Sequence, residues 1–293
     1  MPTIGTGLAA ISIGWFVVAT AAGARGQQPP PAPEQRFDEL MAEQDAVPNP
    51  GVLTAAEREQ FIGRVYRKHY EVALRFVELA EQHPKDPIAV RALIQAAWQV
   101  NGTPWPVDLV GEDPASPRAL ALLQRDHVDS AELGPLCRRI SYGHRAEYET
   151  FLRALLAGSP HPEVRGVACL SLAHFLNQRL QRLEPLELQP ESRAEFAALF
   201  GAEYVGKLLG LDRAEAMREV EALLERASKD YGTVKLPEGG TVGEKAVAEL
   251  FEVRHLCVGA TAPEIEGVDP QGVRFKLGDY RGKVVLLDFW SLV

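Results

Sequence analysis

The sequence predicts a mainly α-helical protein, a bundle or stack of helical hairpins, followed by a short β-containing segment. Three observations support this reading. Between Thr54 and His255, apolar residues recur at steps of three and four, the period of one helix face. Capping residues and Pro or Gly breaks divide that stretch into helix-sized pieces. From Val258 onward the pattern changes to short extended runs around Pro- and Gly-containing turns.

Residues 1–24 contain no Lys, Arg, Asp or Glu, and Ala22-Gly23-Ala24 has the small-x-small form of a signal-peptidase site. They are read as a signal peptide or, if uncleaved, as a membrane anchor over residues 4–24. Export to the periplasm or cell envelope is therefore expected. Residues 25–53 read as a linker, beginning with Gln27-Gln28-Pro29-Pro30-Pro31. Within it Phe37, Leu40 and Met41 share a face, which predicts a short helix over Phe37 to Ala42.

The helical domain is predicted over residues 54–257. Thr54 and Glu57 form a capping box, each side chain satisfying the other's free backbone N–H. Phe61, Val65, His69, Val72, Phe76 and Ala80 then form one stripe, with His69 read as a core residue, and His83-Pro84 ends the helix. Asp86-Pro87 opens the next helix, whose buried side is Leu93, Ile94, Ala97 and Trp98. Thr103 to Ser116 is Pro- and Gly-rich and reads as a loop, with Trp105 pinning it to the helices. Shorter helices follow over Pro117 to Arg125, Ser130 to Ile140, and Arg145 to Ala157. The last of these turns Tyr148, Phe151, Leu152, Leu155 and Leu156 inward, and Gly158 caps it. A further helix starts at His161-Pro162 and runs apolar through Leu180. Its Val164-Arg165-Gly166 echoes Val90-Arg91-Ala92 and resembles helices of HEAT-type repeats, but one such pair does not make a solenoid. After an interruption at Pro185 to Pro190, three helices are expected: Glu191 to Leu209, Asp212 to Tyr231 with an Asp212/Glu215 cap, and Thr241 to His255 with a Thr241/Glu244 capping box.

In the final segment, Ile265 to Val268 and Val273 to Leu277 are extended runs joined by Asp269-Pro270-Gln271-Gly272, a β-hairpin pattern. Gly278 to Gly282 punctuates the chain again. Val284 to Leu287 are then four consecutive apolar residues, which suits a strand covered on both faces, as in a central parallel strand.

Several residues of this segment occur in a telling order: Val258-Gly259, Ala262-Pro263, Phe275, Leu277, Asp279-Tyr280-Arg281-Gly282-Lys283 and Val284-Val285-Leu286-Leu287-Asp288-Phe289-Trp290. They resemble the first part of bacterial redoxin domains, the TlpA/ResA-type thiol–disulfide reductases and the related AhpC/TSA peroxiredoxins. Phe289-Trp290 leans toward the reductases. The resemblance covers residues 258–293 only. It implies that they are the N-terminal part of a thioredoxin-like α/β domain, comprising its hairpin and first core strand. It also implies thiol–disulfide oxidoreductase activity without a cofactor, with protein thiols or disulfides or an upstream reductant as partners.

In the family, Phe-Trp is followed by three residues and a Cys-x-x-Cys pair, which would begin one position past Val293. A helix N-terminus stabilises the attacking thiolate of such a pair, and the second cysteine resolves the mixed disulfide. Asp288 matches the acidic residue buried beneath the dithiol to relay protons, and Trp290 the aromatic beside it. With no nucleophile, the chain is expected to be fragmentary and inactive alone.

Composition narrows the alternatives. The 293 residues are 46% apolar and 24% charged, as in globular proteins. A net charge of −9 without a basic stripe excludes nucleic acid as a partner, and the membrane enters only through an uncleaved N-terminal segment. Cys137, Cys169 and Cys257 include no Cys-x-x-Cys pair, and each is read as structural, although an oxidising compartment would allow one disulfide. The seven histidines lack zinc-ligand spacing. There is no catalytic carboxylate pair, Ser-His-Asp set or phosphate loop, and Gly239-Gly240 is a turn. Two alternatives stay open: a non-enzymatic helical interaction protein with a vestigial redoxin tail, and a truncated peroxiredoxin, antioxidant in its full-length form.

Overall fold

Eleven α-helices and one β-hairpin make up the described residues of the computed structural model, which are 31–46, 51–98 and 113–289. The expected export segment 1–24, Trp105 in the proline-rich stretch and Trp290 lie outside them.

Helix α1 (Pro33–Asp45) lies within the stretch read as a linker and is longer than the short helix expected there. Phe37 and Leu40 are buried in the main core. Arg75 of α2 (Ala55–Gln82) donates to both carboxylate oxygens of Glu43 at 2.7 Å. Arg91 of α3 (Ile88–Ala97) pairs with Glu34 and lies over the Phe37 ring. The helical body therefore begins at α1.

The Thr54/Glu57 capping box forms as expected and His83 caps the far end of α2. The stripe on α2 is fully buried only from Val72 on, while Phe61, Val65 and His69 are half-buried. Asp86 accepts from the Ile88 N–H at 2.9 Å, so α3 starts one residue later than the Asp-Pro pattern suggests. Asp113 does the same for α4 (Ala115–Asp126), accepting from the Ala115 and Ser116 N–H groups at 3.1 Å.

After α5 (Gly134–Ile140), α6 (Ala146–Gly158) buries all five residues expected on its inner side. Helix α7 (Pro162–Leu188) is the centre of the body, touching α5, α6, α10 (Arg213–Tyr231) and α11 (Val242–His255). Val164, the run from Gly166 to Ala173, Phe175 and Leu176 are all buried, so the two turns from Gly166 to Ala173 have no solvent face, as a central helix requires. Gly166 serves that packing. A Cβ there would lie 2.8 Å from Cβ of Tyr231 on α10.

Two differences from expectation, around Pro185 and Gly201, change the element order or continuity. Helix α7 continues through Pro185 instead of ending before it. The ring forfeits a single backbone bond near the helix end, while Leu183 and Leu186 are buried against Val205 and Leu208 in a small second cluster. The single helix expected over Glu191 to Leu209 is two, α8 (Arg193–Phe200) and α9 (Ala202–Leu209). Gly201 between them has φ +90°, which no α-helix accommodates.

Helix α11 opens with the expected Thr241/Glu244 capping box. The hairpin follows. β1 (Glu266–Val268) and β2 (Arg274–Lys276) pair antiparallel, with Gly267 opposite Phe275. The strand expected over Val284 to Leu287 is not formed. No partner strand reaches it among the described residues, and an extended segment alone has no ladder to join.

Candidate functional site

The residues matching the redoxin pattern form one local unit after α11. Asp269 shapes the hairpin turn, its carboxylate accepting from Gln271 (3.0 Å) and Val273 (2.8 Å) N–H groups. Gly272 closes the turn at φ +83°, its N–H donating to the Asp269 carbonyl at 2.9 Å. The Phe275 ring lies against Gly267, with Cζ 2.7 Å from where a Cβ would stand.

The hairpin is fastened to the next turn, Leu277–Tyr280. The Gly278 N–H donates to Glu264, and the Lys276 N–H to Asp279, each at 2.9 Å. These bonds explain why an acidic residue stands at 264 and at 279. Beyond Gly282 the chain is extended. Val284 and Leu286 are 103% and 93% exposed, against 41% and 46% for Val285 and Leu287. That alternation is the period of a strand, present without the sheet.

Asp288 is exposed in this segment and has no hydrogen-bond or ion-pair partner among the described residues. The buried position that the resemblance implies for it is not formed here, and Trp290 lies outside the described residues. Among the described residues, the structure therefore brings Asp288 to no reactive group.

The cysteines are all free. Cys137 is buried and its thiol donates to the Leu133 carbonyl at 3.3 Å; burial pushes its pKa up to about 12. Cys169, equally buried, donates to the Leu223 carbonyl, and burial pushes it up to about 11. Neither can supply a thiolate near neutral pH. Cys257 is exposed just beyond the end of α11. A thiol-labelling reagent should modify one cysteine of the native chain quickly and the other two only after denaturation, with Cys257→Ser removing the fast phase. Fast labelling of all three would contradict this burial.

Comparison with protein-family models, with characterised proteins and with solved structures finds no match. Among the described residues no helix is long and apolar enough to cross a membrane, and no cluster of His, Cys, Asp or Glu is placed to hold a metal ion.

A second feature had no local signal. Where α3, α5, α7 and the loop between α10 and α11 meet, Arg138, Arg139 and Arg182 line one cleft, with Glu238 opposite. Arg138 and Glu238 are 100 positions apart in the chain, so only the fold reveals the pairing.

Proposed function

We propose that this chain belongs to the exported redoxin-type thiol–disulfide oxidoreductases. On this reading residues 258–293 are the first part of a thioredoxin-like α/β domain, and α1 to α11 form a helical domain preceding it. One observation carries the proposal. The hairpin and turn form where the redoxin landmarks stand, and they deliver an extended apolar run at Val284–Phe289 with its backbone unpaired. Burying a Val, Leu or Phe side chain stabilises a fold by roughly 1.5–3 kcal/mol. Such a run is suited to the middle of a sheet, covered on both faces, and poorly suited to water.

The chemistry would be disulfide exchange by a Cys-x-x-Cys dithiol at a helix N-terminus, with protein thiols or disulfides, or an upstream reductant, as partners. Residues 1–293 contain no such pair, so this chain alone is expected to reduce no disulfide. Asp288 and Trp290 would take their supporting places once a complete sheet buries them.

Two measurements test the reading. Amide hydrogens of Val284–Phe289 should exchange at nearly unprotected rates in the monomer, and the purified chain should show no turnover in an insulin-disulfide assay. The gene read past codon 293 in all frames should continue directly into Cys-x-x-Cys. A longer gap before one cysteine would mark a peroxiredoxin instead. Strong protection of residues 284–289 in the monomer would replace the redox reading with that of a helical interaction protein.

A further inference from the structure

We propose that the helical body binds a small oxyanion, a ligand bearing phosphate or carboxylate groups, in the cleft beside Arg138. The cleft has a volume of about 680 Å³, within the range of small-molecule sites. Its walls are Trp98 at the end of α3, Arg138 and Arg139 of α5, Tyr142 just beyond it, Gln178 and Arg182 of α7, and Glu238.

Charge is the first argument. Three guanidiniums face one carboxylate, which leaves two net positive charges in a chain whose own net charge is −9. Arginine does not lose its proton, so the charge persists at every physiological pH.

The second argument is how each guanidinium is held. The Arg138 side chain is 10% exposed, and its Nε donates to Glu238 at 2.9 Å. Its Nη1 is buried without a hydrogen-bond partner among the described residues. That nitrogen is closed off from the cleft, so an anion arriving there would act on the Arg138 charge through space and not through this donor. Among the described residues Arg182 is anchored by neutral groups: the Gly143 carbonyl (2.9 Å), the Tyr142 carbonyl (3.0 Å), the Tyr204 hydroxyl (3.2 Å) and the Phe200 ring. Those bonds fix its position and leave its charge uncancelled. Arg139 stacks on the Trp98 ring at 4.0 Å and has no carboxylate partner among the described residues. Such stacking holds a guanidinium by its face, and its N–H groups point outward along the edge. Three preplaced cations around one cavity are the geometry of oxyanion recognition.

This proposal stands independently of the redoxin reading. It is tested by titrating the full chain with inorganic phosphate and, separately, with citrate, followed by calorimetry and by the Trp98 indole N–H resonance. Saturable binding that weakens with added salt is expected. The two probes separate a phosphate ligand from a carboxylate one. Arg139→Gln should weaken binding about tenfold, and Glu238→Gln should strengthen it severalfold, because the one competing negative charge is gone. Both positions are solvent-accessible, so folding should survive, and circular dichroism checks it. No binding of either probe, or binding that both variants leave unchanged, would overturn the assignment.

Discussion

Replacing Phe76 by alanine should lower the stability of the helical body by about 3–5 kcal/mol, the usual cost of removing a buried phenylalanine. Phe76 is fully buried on α2, and its ring lies 5.3 Å from that of Phe37 at a 60° tilt. Phe37 is one of the two buried anchors of α1, with Leu40, so the variant should also make α1 sensitive to protease before the rest of the body unfolds. The loss is a large share of the 5–15 kcal/mol typical of a whole domain. Urea denaturation of the two proteins measures it. Val52→Ala, at a fully exposed position, is the control and should stay within about 0.5 kcal/mol. A loss below about 1 kcal/mol for Phe76→Ala would mean that α1 does not pack in solution as described.

Acidification should destabilise the protein through His144. Its ring packs edge-on against Phe200 (5.2 Å) and Tyr204 (5.5 Å). Burial, helped by the charges of Arg145 and Arg182, lowers its pKa from the ordinary 6.5 to about 4. The folded chain therefore resists a proton that the unfolded chain accepts. Stability is full above pH 6.5, falls as the pH drops toward 4, and loses nothing more from this residue below that. The whole separation is worth at most roughly 3 kcal/mol, reduced by the partial exposure of the ring. Exposed carboxylates with lowered pKa values, such as Glu57 and Asp126, lose their contributions at the acid end of the same scan. The informative quantity is thus the difference between wild type and His144→Phe from pH 7 to 4. Wild type should lose stability relative to the variant steadily as the pH falls, and a constant difference would remove His144 as the cause.

Local chemistry was legible in the sequence. Both capping boxes, the inner face of α6 and the hairpin with its Asp-Pro-Gln-Gly turn are settled by residues within a few positions of one another. Features fixed at longer range were not. Pro185 reads as a breaker, yet the burial of Leu183 and Leu186 beside Val205 and Leu208 carries the helix past it. Gly201 sits inside a helical apolar pattern and splits it, because a pattern of side chains does not report a backbone torsion. Helix α1 looks like linker since only Phe37, Leu40 and Met41 mark it, and its ion-pair partners Arg75 and Arg91 lie far along the chain. The basic cleft is the extreme case. Its arginines are divided between two helices and resemble ordinary surface charge until α5 and α7 are packed. In the terminal segment the sequence order suggested a complete strand, and the described residues supply an extended chain with nothing beside it.

The ring of Phe275 over Gly267 acts as a latch on alignment. Sliding one strand by a single residue would bring that ring against Glu266 or Val268, where a side chain already occupies the space, and would turn every neighbouring group to the opposite face. The hairpin accordingly tolerates one pairing only. Whatever adjoins residues 284–289, in this chain or supplied by another, meets them leaving the turn at Gly282 in a heading that a single glycine and a single phenylalanine have already set.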